Sequence, residues 1–278
     1  MNAPWLNVTL PAHNEEAQLA TSVRRVAAFL DAQGWNWELV IANNGSQDRT
    51  GEIAEWLAAE SGSRLGRMVR VCHQAASGRG AALREAWMTS HADIVSYMDV
   101  DLSTDLACLR PLVEPLGRGE VDLAIGSRLL PGSRTTRSWK REGLSRGYNW
   151  LLRWALGFNV HDAQCGFKAI TRAAAGVLLP QVKDDGWFFD TELLWRAQCG
   201  GWRVREVPVN WVDDPGTTVR LLPTVWCDLA GIRRLRREAP RACMRRVQPG
   251  RKFYGGQTTA KPGAPGGGPM RDDAPGID

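Results

Sequence analysis

The sequence predicts an α/β fold, a doubly wound and mainly parallel sheet with a small antiparallel extension and a C-terminal helix. Three observations carry that prediction. Five short apolar runs, WLNVTL (5–10), WELVIA (37–42), RMVRVCH (67–73), DIVSYM (93–98) and VDLAIG (121–126), occupy the first half of the chain. Stretches with helical spacing lie between them, near 15–31, 48–60, 80–90 and 105–117. Short apolar strands joined by helices suit a parallel sheet, because each crossover helix covers one of its faces. Thirdly, three of the runs stop abruptly in polar residues, and in such sheets ligands gather at the carboxyl ends of the strands.

The first run ends in PAHNEE (11–16) and the second in NNGSQD (43–48). A dinucleotide-binding domain would place Gly-x-Gly-x-x-Gly after its first strand, and this chain has none there. SGRGAAL (77–83), after the third run, lacks the third glycine and reads as a turn opening a helix. The free N–H groups of such a helix, with Arg79, suit a phosphate. The fourth run stops at Asp99, Asp101 and Asp105. Carboxylates crowded at a strand end raise one another's pKa and cost stability unless a cation neutralises them. Asp99 and Asp101 stand two residues apart, so an extended chain points both to one side. Hard oxygen ligands of this kind suit Mg²⁺ or Mn²⁺, which in turn bind a diphosphate. The competing reading has these acids face solvent and cap the following helix, with Asp105 in its first turn.

The second half is less regular. A basic, aromatic helical stretch spans about 141–157, and the strand-like pieces GFKAIT (166–171) and RVREVPVNWV (203–212) flank a helix near 188–199. From Leu221 to Arg237, Leu222, Val225, Trp226, Leu229, Ile232 and Leu235 recur at helical spacing, and Arg233, Arg234, Arg236 and Arg237 close the segment. Of the 30 residues from Pro249 to the end, 13 are Gly or Pro, too little apolar surface to offset the entropy of ordering. Residues 249–278 are therefore expected to be disordered.

The net charge of +5 is placed rather than spread. Residues 128–153 carry seven Lys or Arg against one acid, and residues 233–252 carry nine against one. Placed positive charge points to anionic partners. A nucleic-acid partner would account for the arginines but leave the paired aspartates unexplained, so none is expected. The six cysteines form no CxxC pair and no disulfide-like spacing, which reads as reduced thiols in a cytoplasmic protein. No run reaches the roughly 20 apolar residues of a membrane span, and the opening residues do not read as a signal peptide.

Taken together, these motifs make the chain resemble family 2 glycosyltransferases of the Rossmann-like GT-A fold, in the branch of dolichyl-phosphate β-glucosyltransferases and dolichol-phosphate mannosyltransferases. LPAHNEE and ELVIANNGSQDRT are similar to that family's two nucleotide-binding turns, SGRGAALREAW to its third element, and YMDVDLSTD to its metal-binding DxD. IGSRLLPGS (125–133), REGLSRGYNWLLR (141–153), DAQCGFKAITR (162–172), GWFFDTELLWRA (186–197) and VPVNWVDDPGTTVR (207–220) resemble its later blocks. Two departures stand out. Asn43 and Asn44 occupy positions where the family usually holds at least one aspartate, which leaves the nucleobase open, and Thr218 stands where the subgroup commonly has lysine.

The resemblance implies an inverting, metal-dependent transfer of a hexose from UDP-glucose or GDP-mannose to a polyprenyl or dolichyl phosphate. It implies a catalytic domain over 1–220, followed by a basic amphipathic helical segment over 221–248. Asp99 and Asp101 would hold Mg²⁺ or Mn²⁺ with help from Ser103. Pro11, Ala12, Glu15, Asn43, Asn44, Arg79 and Asp99 would bind the donor. Arg128 would lie near the diphosphate, and Arg141, Ser145 and Lys168 would meet the acceptor phosphate. Asp101, Arg128 and Asp190 are the expected catalytic residues, while Asp162, Asp190 and Glu192 are candidates to orient hydroxyls. Arg141 and Ser145, four apart, share one helix face. A lipid acceptor also explains the placed charge, through basic helices lying peripherally on the anionic inner face of a membrane. Two other readings stand beside this one: a family member acting on a soluble acceptor, and a sugar-nucleotide-binding protein without catalysis.

Overall fold

The computed structural model describes residues 5–61, 67–137, 139–212, 221–238 and 243. Nine strands and eight α-helices are formed by these residues: β1 (Leu6–Ala12), α1 (Leu19–Ala32), β2 (Trp37–Asn44), α2 (Thr50–Ser61), β3 (Arg67–Gln74), α3 (Arg79–Met88), β4 (Ile94–Met98), α4 (Leu109–Gly117), β5 (Leu123–Ser127), β6 (Arg134–Thr136), α5 (Trp139–Leu156), β7 (Phe167–Thr171), α6 (Arg172–Leu178), α7 (Phe189–Gly200), β8 (Val204–Pro208), β9 (Asn210–Val212) and α8 (Leu221–Glu238). Seven strands make the main sheet, in the order β3-β2-β1-β4-β7-β5-β8. β6 and β9 form a separate parallel pair.

Strand alternation divides the apolar residues between two cores. On β2, Trp37, Leu39 and Ile41 join one core with α1 (Leu19, Val23, Val26, Leu30) and α4 (Leu109, Leu112, Val113, Leu116). Val40 and Ala42 join the other, with α3 (Ala82, Leu83, Ala86, Trp87) and α7 (Leu193, Leu194, Ala197). The sheet is thus covered on both faces, as the uninterrupted apolar runs require. In α1 the buried positions recur at four- and three-residue steps, a single stripe facing the sheet. Each fully buried leucine of that stripe stabilises the packing by about 1.5–3 kcal/mol relative to exposure.

The antiparallel element is a single strand, β7, which pairs antiparallel with both β4 and β5. It lies inside the sheet rather than at an edge. After β5 the chain leaves through α5 and returns between β4 and β5 in the opposite direction. β6 and α6 had no counterpart in the sequence prediction. One further difference concerns the cysteines. Cys199, in α7, is disulfide-bonded to Cys243, 44 residues away, while Cys72, Cys108, Cys165 and Cys227 are free. A bridge between such distant positions leaves no spacing signature, so the expectation of reduced thiols fails for this pair. The Gly/Pro-rich stretch 249–278, Thr218 and most of 239–248 lie outside the described residues.

Candidate active site

β1, β2 and β4 run parallel, with Ala12 level with Asn43, so the ends of these strands open on one edge of the sheet. The turns after β1 and β2 are tied together. Asn14, left-handed at φ 56, donates its N–H to Ser46 Oγ at 3.1 Å, and its Oδ1 accepts from Gln47 N at 2.8 Å. Glu15 N donates to Thr50 Oγ1 at 2.7 Å. Gly45 adopts φ 65 and packs against the backbone of Ala76 and Ser77, where a Cβ would come within 2.8 Å, so the second turn demands glycine on both counts.

Asn43 and Asn44 are used within the protein. Asn44 Oδ1 accepts from Gly78 N at 2.5 Å, linking the second turn to the start of α3. Asn43 Oδ1 accepts from Ser46 N at 3.2 Å, and its Nδ2 lies 3.0 Å from His73 Nδ1. The backbone bond fixes the amide orientation, so Nδ2 donates and His73 Nδ1 accepts. His73 Nε2 then donates to Glu55 Oε1 at 2.7 Å. Asn43 is buried, while Pro11 and Glu15 are half-buried beside the turn.

Asp99 and Asp101 follow β4 in a tight turn where Leu102 is left-handed at φ 52. Asp101 Oδ1 accepts from Ser103 N at 2.9 Å. The Asp99 carboxylate, about one-third exposed, lies directly over Gly166, where any Cβ would collide with it. Behind it stands a buried chain of charge. Arg79 donates from Nη2 to Asp99 Oδ1 at 3.2 Å and from Nη1 to Asp190 Oδ2 at 2.6 Å. Its guanidinium is held between the rings of Tyr97 and Trp187, at 4.8 and 4.9 Å. Asp190 Oδ1 accepts from the Tyr97 hydroxyl at 2.6 Å and lies 3.1 Å from Lys168 Nζ. Lys168 also donates to Cys165 O at 2.6 Å and to the Tyr97 hydroxyl at 3.2 Å.

The electrostatics follow from these pairs. Burial pushes the Asp190 carboxyl up, but Lys168 and Arg79 outweigh it and hold the group below the ordinary carboxylate range. Asp99 is different: burial raises it, Arg79 offsets only part, and the neighbouring Asp101 raises it further. Two hard carboxylates under mutual repulsion, one of them resting on a glycine and open to solvent, fit a divalent cation such as Mg²⁺ or Mn²⁺. Among the described residues no group of three His, Cys, Asp or Glu converges, so water and donor oxygens would complete such a cation's shell.

A second buried pair lies beyond Gly166. Arg128, after β5, grips Asp162 through Nε at 2.7 Å and Nη2 at 2.9 Å, and its backbone N–H donates to the same carboxylate at 3.0 Å. Its guanidinium lies 4.9 Å from the Trp211 ring centroid. Burial acts against the Asp162 charge, yet Arg128 holds its carboxyl below the usual range. On α5, Arg141 is exposed and Ser145 half-buried, on the face that continues to Tyr148. Lys168 does not join them: it lies in the buried chain with Asp190, which has both oxygens occupied. Sequence reasoning missed Tyr97 and Trp187. Tyr97 had a visible signal, an aromatic hydroxyl inside a buried strand two residues before Asp99.

Comparison with known proteins follows from this geometry. The profile of the family described as Glycosyl transferase family 2 matches residues 8–179. Glycosyltransferase AglD of Haloferax volcanii is 41% identical over 224 residues, covering 78% of this chain and 34% of that protein. The chain therefore spans about a third of that relative's length. Dolichyl-phosphate beta-glucosyltransferase of Mus musculus is 30% identical over 234 residues, covering 78% of this chain and 70% of that protein. Among solved structures, glucosyl-3-phosphoglycerate synthase from Mycobacterium tuberculosis in complex with Mn²⁺, UDP and phosphoglyceric acid superposes with a TM-score of 0.55 at 22% identity. It covers 88% of this chain and 78% of that one. The same enzyme with Mg²⁺ and UDP gives 0.58, over 85% and 80%. At that identity the likeness is one of fold, and it gives the α/β sheet its GT-A-like character.

Proposed function

The chain belongs to glycosyl transferase family 2, and on that premise we propose that it moves a hexose from a nucleotide-diphosphate sugar to a polyprenyl phosphate with inversion at C1. The observation that carries this reading is the pair Asp99 and Asp101 at the end of β4, with Asp99 tied through Arg79 to buried Asp190. Relatives named dolichyl-phosphate beta-glucosyltransferase, the Mus musculus protein among them, suggest the acceptor class.

In the reaction a phosphate oxygen of the acceptor attacks C1. The bond from C1 to the donor diphosphate breaks, and its electron pair leaves with the diphosphate. Asp99 and Asp101 would hold a divalent cation, which when bound neutralises charge on the leaving diphosphate. Arg128, kept rigid by its fork on Asp162, places a fixed positive charge near the same edge. No general base is needed, because a phosphate monoester arrives already ionised, at about −1.5 to −2 charges. Asp190 suits that account: paired with Arg79, Lys168 and Tyr97, it fixes Arg79 against Asp99 and takes no proton. Arg141 and Ser145 on α5 suit an acceptor phosphate, the arginine by its planar fork.

The outer face of α5 supports a lipid acceptor. Trp139, Trp150 and Trp154 are 79%, 62% and 69% exposed, and their spacing puts them on one face with Gly143 and Gly147 between them. Leu152, Asn149 and Leu156 bury the opposite side. α8 adds exposed Trp226, Leu229, Arg233 and Arg237. Exposed tryptophans beside arginines suit the headgroup region of an anionic bilayer. No helix among the described residues is long and apolar enough to cross a membrane.

The test is an acceptor comparison with labelled UDP-glucose and GDP-mannose, offering a short polyprenyl phosphate against soluble phosphate esters. Label entering the lipid fraction as a β-linked product is the expected result. Label entering a soluble ester instead would move the acceptor to that class. Tight nucleotide binding without turnover of either donor would overturn the enzyme reading.

A further inference from the structure

We propose that Asp228 on α8 binds a hydroxyl of the transferred sugar, so that the C-terminal helix forms one wall of the donor-sugar pocket; this rests on the glycosyl-transfer reading above. α8 is fastened to the catalytic body. Gly231 packs against the Phe188 ring with no room for a Cβ, Ile232 and Leu235 are buried, and Arg234 forks onto Glu192 at 2.9 and 2.7 Å. This docking puts Asp228, one turn before Ile232, on the inward face at 4% exposure.

Asp228 differs from the other buried acids here. Glu38, Asp162, Asp190 and Glu192 each have an arginine partner. Asp228 Oδ2 accepts a 3.2 Å bond from Gln164 Nε2 and the nearby Tyr148 hydroxyl acts to lower its carboxyl pKa, while Oδ1 is buried with no partner at hydrogen-bonding distance among the described residues. Burial pushes its carboxyl up to about 6. An orphaned carboxylate oxygen is costly in a folded protein, and nothing in the packing of α8 requires one.

Its surroundings locate it. Gln164 lies between Asp162, which holds Arg128, and Gly166, which carries the Asp99 carboxylate. Thr191 follows Asp190, and its Oγ1 is 3.1 Å from the Tyr148 hydroxyl. Tyr148 feels the charge of both Asp228 and Asp190, and sits one turn from Ser145. Four polar side chains from α5, α7, α8 and the segment before β7 therefore meet beside the transfer residues. A carboxylate repels phosphate and accepts from hydroxyls, so this corner suits a neutral polyhydroxyl ring rather than either phosphate.

The test uses the full chain and the near-isosteric Asp228→Asn, with Asp228→Ser as a second variant. Steady-state kinetics, affinity for the nucleoside diphosphate alone and thermal unfolding are measured, and monodeoxy sugar donors are compared on both forms. The expected result is a fall in donor kcat/KM of about 10- to 100-fold. Nucleoside diphosphate affinity stays within about twofold, because that part of the donor does not touch Asp228, and the midpoint is unchanged or higher. One deoxy donor should lose a similar factor on the parent chain and nothing further on Asp228→Asn. Parent-like kcat/KM in both variants, or losses that multiply for every deoxy donor, overturns the inference while leaving the transfer reading intact. A parent chain that transfers from no donor overturns both.

Discussion

At Asp190 two cations and a phenol converge on one buried carboxylate, whereas no cation among the described residues pairs with Asp228. The pair sets opposite responses to pH. Asp162 and Asp190 have folded-state pKa values held below their unfolded ones, so the stability they contribute is present above the ordinary carboxylate range. It is lost as pH falls through the folded values. Asp228 has the reverse sign: raised from 3.8 to about 6, it binds its proton more tightly in the folded protein. It therefore costs stability once pH rises past that window. Asp228→Asn is expected to raise the thermal midpoint most above pH 6 and to lose that advantage toward pH 4, as unfolding scans across pH would show. Lys168→Met leaves Asp190 with one cation fewer and is expected to destabilise the fold by about 3–5 kcal/mol, the cost of breaking a buried ion pair from one side. Denaturant unfolding measures this directly; a loss under about 1 kcal/mol would mean that Arg79 and Tyr97 suffice.

At the scale of elements, a single glycine sets the distance between β7 and the turn after β4. Gly166 lets β7 begin directly under the Asp99 carboxylate. Gly166→Ala is expected to displace that carboxylate and weaken Mn²⁺ binding by about tenfold or more, read by calorimetry on the full chain, with unfolding little changed. Unaltered Mn²⁺ affinity would remove Asp99 from the ligand set. Elements also show what the sequence discloses. The β1 to β5 runs were legible because continuous burial needs continuous apolar residues, and the helices between them because their stripes repeat. β6 was not, since Arg134–Thr136 carries no apolar pattern and pairs only with distant β9. The direction of β7 was equally hidden: nothing in FKAIT distinguishes a parallel from an antiparallel neighbour. α6 left a faint mark, Thr171, whose hydroxyl accepts from Ala174 N as an N-cap. In the site, the acids at strand ends could be read from their crowding. Their partners could not, because Arg79 with Asp190 and Arg128 with Asp162 lie 111 and 34 residues apart.

Over the whole molecule, polarity of placement is the organising feature. The strand ends gather the proposed donor residues, α5 carries Arg141 and Ser145 on one side, and its opposite side displays tryptophan. Such a surface predicts binding to vesicles of anionic phospholipid that weakens as salt rises. Co-sedimentation should show Trp150→Ser with Trp154→Ser releasing the protein without altering its unfolding. Equal retention of the double variant would locate the lipid contact elsewhere. The most direct measurement of the central claim is Mn²⁺- or Mg²⁺-dependent transfer of labelled hexose onto a short polyprenyl phosphate by the parent chain and by Asp101→Ala. The account predicts a lipid-linked product that requires the metal and vanishes in the variant. A product formed equally well by Asp101→Ala would contradict it.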